Sequence, residues 1–177
     1  MARYCPLFSG SSGNCTYVGT ASDGVLVDAG VSARRIENAL RQRQIDPAAI
    51  RAIFITHEHS DHIAGVRVLV NRYHIPVYAS RGTRAYLIAH GMLAPDAPGE
   101  ALEPGTRVIA DMEVRAFHTP HDAVESMGFA FHLSDYRRIA VATDMGEVTD
   151  EIRDAIAGCD LAHIESNHEI PMLQNGP

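Results

Sequence analysis

The chain has 177 residues, 46% of them hydrophobic, which is enough for one domain with a substantial core. Its formal net charge is −7, from 22 acidic residues against 15 arginines and no lysine, so no global field draws it to nucleic acid. No apolar run approaches the ~18 residues a membrane-spanning helix needs, which leaves no membrane partner.

The opening Met-Ala-Arg-Tyr-Cys-Pro is no signal peptide. Cys5, Cys15 and Cys159 are widely spaced and form no Cys-x-x-Cys pair. That argues against a thiolate zinc site and fits a reducing cytoplasm, the expected location.

Three strands are predicted in succession over 3–7, 15–19 and 24–28. Between the first two lies Ser9-Gly10-Ser11-Ser12-Gly13-Asn14, small and flexible enough for backbone N–H groups to approach an anion. A plain hairpin turn is the competing reading. The third strand ends on Asp28, a carboxylate that needs partners if buried. It suits the orientation of a metal-bound histidine from behind, with capping of the following turn as the competing reading.

Ser32 reads as the N-cap of a helix to about Gln42. Arg34, Arg35, Arg41 and Arg43 fall on it, ordinarily a solvated face and otherwise a phosphate-steering patch. A buried strand follows over 52–55, and apolar spacing from Ile63 to Tyr73 predicts one helix. A short strand at 77–79, a helix at 82–89 and a proline-rich loop at 91–104 come next. Strands near 106–109, 112–117, 127–133 and 138–142, a helix near 147–157 and a strand at 161–165 complete the pattern. Hairpins mixed with crossover helices point to an α/β sandwich.

The run Thr56-His57-Glu58-His59-Ser60-Asp61-His62 sits where a strand ends and a helix begins. In extended backbone, residues i and i+2 point the same way, so His57 and His59 can converge on one cation. Asp61 and His62 fall at the turn and can face a neighbouring point. The arrangement suits two metal ions a few ångströms apart. A helical His-Glu-x-x-His site would need histidine where Asp61 stands.

Two later strands also end on polar groups. His118-Thr119-Pro120-His121-Asp122 offers a third imidazole for the first ion. Asp144, in Thr143-Asp144-Met145-Gly146, is placed to bridge two cations. Glu165-Ser166-Asn167-His168 closes a further strand. His74, His90, His132 and His163 lack such context and are assigned to surface or core.

Together these motifs resemble the metallo-β-lactamase fold over nearly the whole chain, and within it the YycJ/WalJ group. The Ser-Gly-Ser-Ser-Gly-Asn opening, the His-Asp-Ala at 121–123, the Thr-Asp-Met-Gly and the Glu-Ser-Asn-His carry that resemblance. Cys15 departs from the Ser or Thr expected there. The resemblance implies an αββα sandwich of two mixed β-sheets flanked by helices, with metals at one edge. It also implies phosphodiester hydrolysis, with 5′-to-3′ exonuclease activity on DNA. Members continue further and supply another histidine, so residues 1–177 are expected to be a single domain, C-terminally truncated.

On this reading His57, His59 and His121 hold one ion, Asp61 and His62 the second, and Asp144 bridges them. Asp61 orients the nucleophile, and His168 either reaches the scissile phosphate or the leaving group or is a structural histidine. Pro120 turns the chain after the strand, which favours His121 over His118. Two divalent ions are expected, zinc foremost and manganese tolerated, with DNA as the macromolecular partner. Thioester or lactone hydrolysis, and a metal-poor binding module, are the readings from other classes.

Overall fold

The computed structural model describes residues 2–164. Its first sheet has six strands: β1 (Arg3–Phe8), β2 (Cys15–Gly19), β3 (Gly24–Val27), β4 (Ile50–Phe54), β5 (Val77–Ser80) and β6 (Ala101–Leu102), paired in that order. β1 to β3 form antiparallel hairpins, whereas β3 to β6 are parallel neighbours. The second sheet contains β7 (Gly105–Ile109), β8 (Met112–His118), β9 (Met127–His132), β10 (Arg138–Ala142) and β11 (Leu161–Ile164). It is antiparallel except at the β10–β11 pair.

Period-two alternation sets the layers. Val25, Val27, Ala52 and Phe54 point inward against Val114, Ala116, Phe129 and Val141 of the other sheet. Leu26 and Ile53 point outward, where they meet Ile36 and Leu40 of α1 (Ala33–Gln42) and Leu69 of α3 (Val66–Tyr73). α4 (Arg81–Ala89) adds Leu87 to the same layer. On the other outer face, α5 (Asp150–Ile156) packs Ile152 and Ala155 on Phe117 and Ala142. The result is the expected αββα sandwich of two mixed sheets.

Ser32 is the N-cap residue of α1, though its side chain makes no capping hydrogen bond. The single helix predicted over 63–73 is instead two, α2 (Ser60–Ile63) and α3, separated at Gly65. The Gly65 N–H bonds the Ala29 carbonyl at 2.7 Å, and a Cβ there would lie 2.5 Å from the Val31 carbonyl oxygen. Close approach of the chain after β3 therefore breaks the helix. The 3₁₀ turn Pro47–Ala49 starts at an Asp46 cap followed by proline, and the two-residue β6 falls within the stretch 91–104 predicted as loop, too short for alternation to mark it.

Candidate metal centre

The loop leaving β4, the one-turn helix α2, and the loops after β8 and β10 meet at one edge of the sandwich. They bring six sequence-predicted residues together: His57, His59, Asp61, His62, His121 and Asp144. His57 Nε2 lies 3.1 Å from His59 Nδ1, which is 3.3 Å from His121 Nε2. Three imidazole nitrogens thus face one point, all within 4.8 Å of one another. A second mutually close group is His57, His62 and Asp144. His62 Nε2 is 3.1 Å from Asp144 Oδ2 and 3.6 Å from Asp61 Oδ2.

Asp28 and Thr56 organise the buried side of the cluster. Asp28 holds φ of 61°, a left-handed conformation that Asp tolerates better than most residues. Its carboxylate accepts from the Thr56 N–H at 2.8 Å and the Thr56 hydroxyl at 2.9 Å. Having given its hydrogen to Asp28, that hydroxyl accepts from His57 Nδ1–H at 3.0 Å. This fixes the His57 tautomer and turns the Nε2 lone pair toward His59 and His121. Asp28 Oδ2 also lies 2.8 Å from His62 Nδ1.

The Ser9–Asn14 loop lies against the same edge. Asn14 N–H bonds the Asp61 carbonyl at 2.7 Å, and its side-chain amide stands 3.0 Å from His62 Nε2 and 3.4 Å from Asp61 Oδ2. Gly30 is required beside it, because a Cβ would fall 1.6 Å from the Asp61 carbonyl oxygen.

Glu58, whose role the sequence does not signal, is buried. Its Oε1 accepts from the Val124 N–H at 2.7 Å and so pins the loop that carries His121. Ser80 Oγ donates to the Glu125 carbonyl at 2.7 Å, and the Gly82 N–H donates to Glu125 Oε2 at 2.7 Å. A Glu between two histidines gives no signal of this contact, because its partner is 66 residues away. The Gly146 N–H bonds the Pro120 carbonyl at 2.9 Å, which ties the Asp144 loop to the His121 loop.

Burial and the neighbouring His62 charge push the His57 imidazole down to about 3. His121 is also lowered, chiefly by burial. His62 moves the other way. Burial opposes its charge, but the Asp28 and Asp144 carboxylates prevail and raise it to about 10. Burial would raise Asp144, yet His62 holds it down at about 2. The donor set fits divalent cations: neutral imidazoles facing one another leave converging lone pairs that a shared proton satisfies only in part.

His118 stands apart, exposed, with its Nδ1 3.7 Å from Glu151. His90 stacks on Tyr86, His132 lies near Glu113, and His163 meets the Tyr4 ring edge-on. His168 lies outside the described residues.

A family model for the beta-lactamase superfamily domain matches residues 24–173, and the chain belongs to that family. Divalent metal binding is a property the family implies, and the two groups are candidate donors for it. The chain is 39% identical over 177 residues to a Bacillus anthracis protein named exodeoxyribonuclease YycJ, covering 98% of this chain and 66% of that one. It is 35% identical to exodeoxyribonuclease WalJ of Streptococcus pneumoniae, covering 98% and 65%. The chain therefore spans about two thirds of the length of these curated relatives. A solved metallo-beta-lactamase of Cronobacter sakazakii shares the fold, with a TM-score of 0.68 at 18% identity over 92% of this chain and 70% of the other. Among the described residues, no helix is long and apolar enough to cross a membrane.

Proposed function

We propose that this chain carries the metal centre of a binuclear phosphodiesterase that degrades DNA from the 5′ end. The convergence of His57, His59 and His121 beside His57, His62 and Asp144 carries the reading. The names of the two relatives supply the substrate class. Two divalent ions, zinc before manganese, would make water nucleophilic near neutral pH and neutralise the phosphate oxygens as charge builds.

The chain's own residues do the rest. His57, His59 and His121 would hold the first ion, and His62 and Asp61 the second, with Asp144 a shared carboxylate beside both groups. Thr56 and Asp28 keep His57 Nε2 and His62 Nε2 aimed into the site. The partly exposed Asp61 carboxylate orients the attacking oxygen. His168 is assigned to the scissile phosphate or the leaving group, and the buried Asn14 holds Asp61 and His62 in register. The free thiols of Cys5, Cys15 and Cys159 suit a reducing cytoplasm as the place of action.

Metal analysis combined with digestion of end-labelled DNA tests this. Metal-dependent release of mononucleotides from the 5′ end is expected. Hydrolysis of a thioester or lactone without DNA cleavage would overturn the substrate class, and a chain that retains no metal would overturn the mechanism.

A further inference from the structure

The helices α1 and α3 carry charge opposite in sign to the chain as a whole. With the α1 C-cap they hold Arg34, Arg35, Arg41, Arg43, Arg67 and Arg72, six of the 15 arginines, and only Glu37 of the 22 acidic residues. The helices pack together, and Glu37 is neutralised at their seam by Arg72 of α3 and by Arg41, 3.8 Å away. Arg34, Arg35 and Arg67 are exposed, and among the described residues none has a carboxylate within ion-pair distance. A Debye length of about 8 Å at physiological salt lets this face act locally within an acidic protein.

The face begins at the metal centre. Gly30 abuts Asp61, and α1 starts three residues later. Gly65, which bonds Ala29, immediately precedes α3. Arg34, Arg35 and Arg67 therefore lie at the site ends of their helices, and Arg41, Arg43 and Arg72 at the far ends. Beside Arg35, its guanidinium 4.7 Å over the ring, lies the half-buried Phe8, next in sequence to the Ser9–Asn14 loop.

We propose that this arginine face is the track along which the backbone of a single-stranded nucleic acid runs to the metal centre. The proposal rests on the phosphodiesterase reading above. Arginines spaced along a helix match a run of phosphates, and binding gains from the counterions those phosphates release. The Phe8–Arg35 pair offers the stacking and cation–π contact that sequence-tolerant single-strand sites use.

The test compares the full chain with Arg34→Glu/Arg35→Glu and with Arg107→Glu/Arg137→Glu, an equal charge change at exposed positions in β7 and in the β9–β10 turn. Binding of a labelled single-stranded oligonucleotide is followed by anisotropy across a salt series. Hydrolysis of the oligonucleotide and of bis(p-nitrophenyl) phosphate is measured with metal added. The first pair is expected to weaken strand binding about tenfold or more and to flatten the log–log salt slope by about 1.4, roughly 0.7 for each lost phosphate contact. KM for the strand rises by the same factor, while kcat and hydrolysis of the small diester hold. Equal weakening in both pairs, or none in the first, overturns the track. A strand held through Arg34 and Arg35 while neither diester is cleaved overturns the hydrolase reading and leaves the track standing as a binding surface.

Discussion

Asp28 Oδ2 and His62 Nδ1 lie 2.8 Å apart with both side chains buried, so the carboxylate decides which nitrogen of His62 faces the metal site. An ionised carboxylate accepts only, and it therefore holds the proton on Nδ1 and keeps Nε2 available as a ligand. Asn at position 28 has nearly the same shape. With its oxygen kept on the Thr56 N–H, its amide would donate to His62 Nδ1 and drive the proton onto Nε2. Asp28→Asn is expected to lower metal affinity or activity about 10–100-fold with the fold retained. Metal titration and circular dichroism of the variant check this. Unchanged affinity would mean Asp28 serves only the turn after β3.

The metal-free protein should show a stability maximum near neutral pH, for opposing reasons. His62 is raised from 6.5 to about 10 in the folded chain, so its contribution is fully present below pH 6.5 and is lost as pH rises through 10. His57 is lowered from 6.5 to about 3, so protonation favours the unfolded chain and stability falls as pH drops below 6.5. Asp144, held at about 2, adds its own loss as pH falls from 3.8 through 2. Melting temperatures in chelator between pH 5 and pH 10 should decline in both directions, and Asp28→Asn should flatten the alkaline side. A melting temperature independent of pH would mean the imidazole–carboxylate contacts do not bear on folding.

His59 and His118 separate the proposed metal set from a bystander. His59 touches His57 and His121 through ring nitrogens, whereas His118 is exposed beside Glu151. His59→Ala is expected to remove metal-dependent hydrolysis and the first bound ion while leaving circular dichroism unchanged. His118→Ala should retain both. Equal metal loss in the two variants would mean the loop after β8 supplies a different histidine.

What the sequence made legible was local. The continuous apolar run at 24–27, buried on both faces, and the alternation at 112–117 mark strands because each face meets its own layer, and the His57–His62 run marks the site because its candidate ligands are neighbours in the chain. What escaped was set by partners far away in sequence. The break at Gly65 follows from the backbone of Ala29 and Val31, and the role of Glu58 follows from Val124. The convergence of His57 on both ligand groups depends on how two loops pack, which no spacing encodes.

Gly30 is a steric requirement of the site. A Cβ there would stand 1.6 Å from the Asp61 carbonyl oxygen and 2.5 Å from the Asn14 nitrogen, both backbone atoms. Gly30→Ala must displace α2 or the Ser9–Asn14 loop, at about 1–3 kcal/mol for overpacking. Denaturant unfolding should show that loss together with weaker metal binding. A variant of full stability and metal content would mean the α2 turn has room to move.

Glu58 joins the His57–His59 segment to the His121 loop, and its removal should act on the metal centre without touching a ligand. Its carboxylate accepts from Val124 N–H at 2.7 Å, with the Thr83 hydroxyl 3.4 Å from the other oxygen. Alanine deletes the acceptor, and the loop bearing His121 then keeps its contacts through Glu125, Ser126 and Pro120 but loses its tie to the His57–His59 segment at Val124. The first ligand group loses its preset geometry, so metal affinity or activity should fall about 10–100-fold, the range for outer partners of metal ligands. Glutamine keeps an oxygen for the Val124 N–H and should recover most of the loss. A merely structural role would lower the melting temperature of both variants and leave the absorption spectrum of bound cobalt unchanged. The positioning role instead predicts an altered cobalt spectrum in Glu58→Ala that returns toward the parent in Glu58→Gln. Identical spectra in all three proteins would show that the His121 loop holds its place without Glu58.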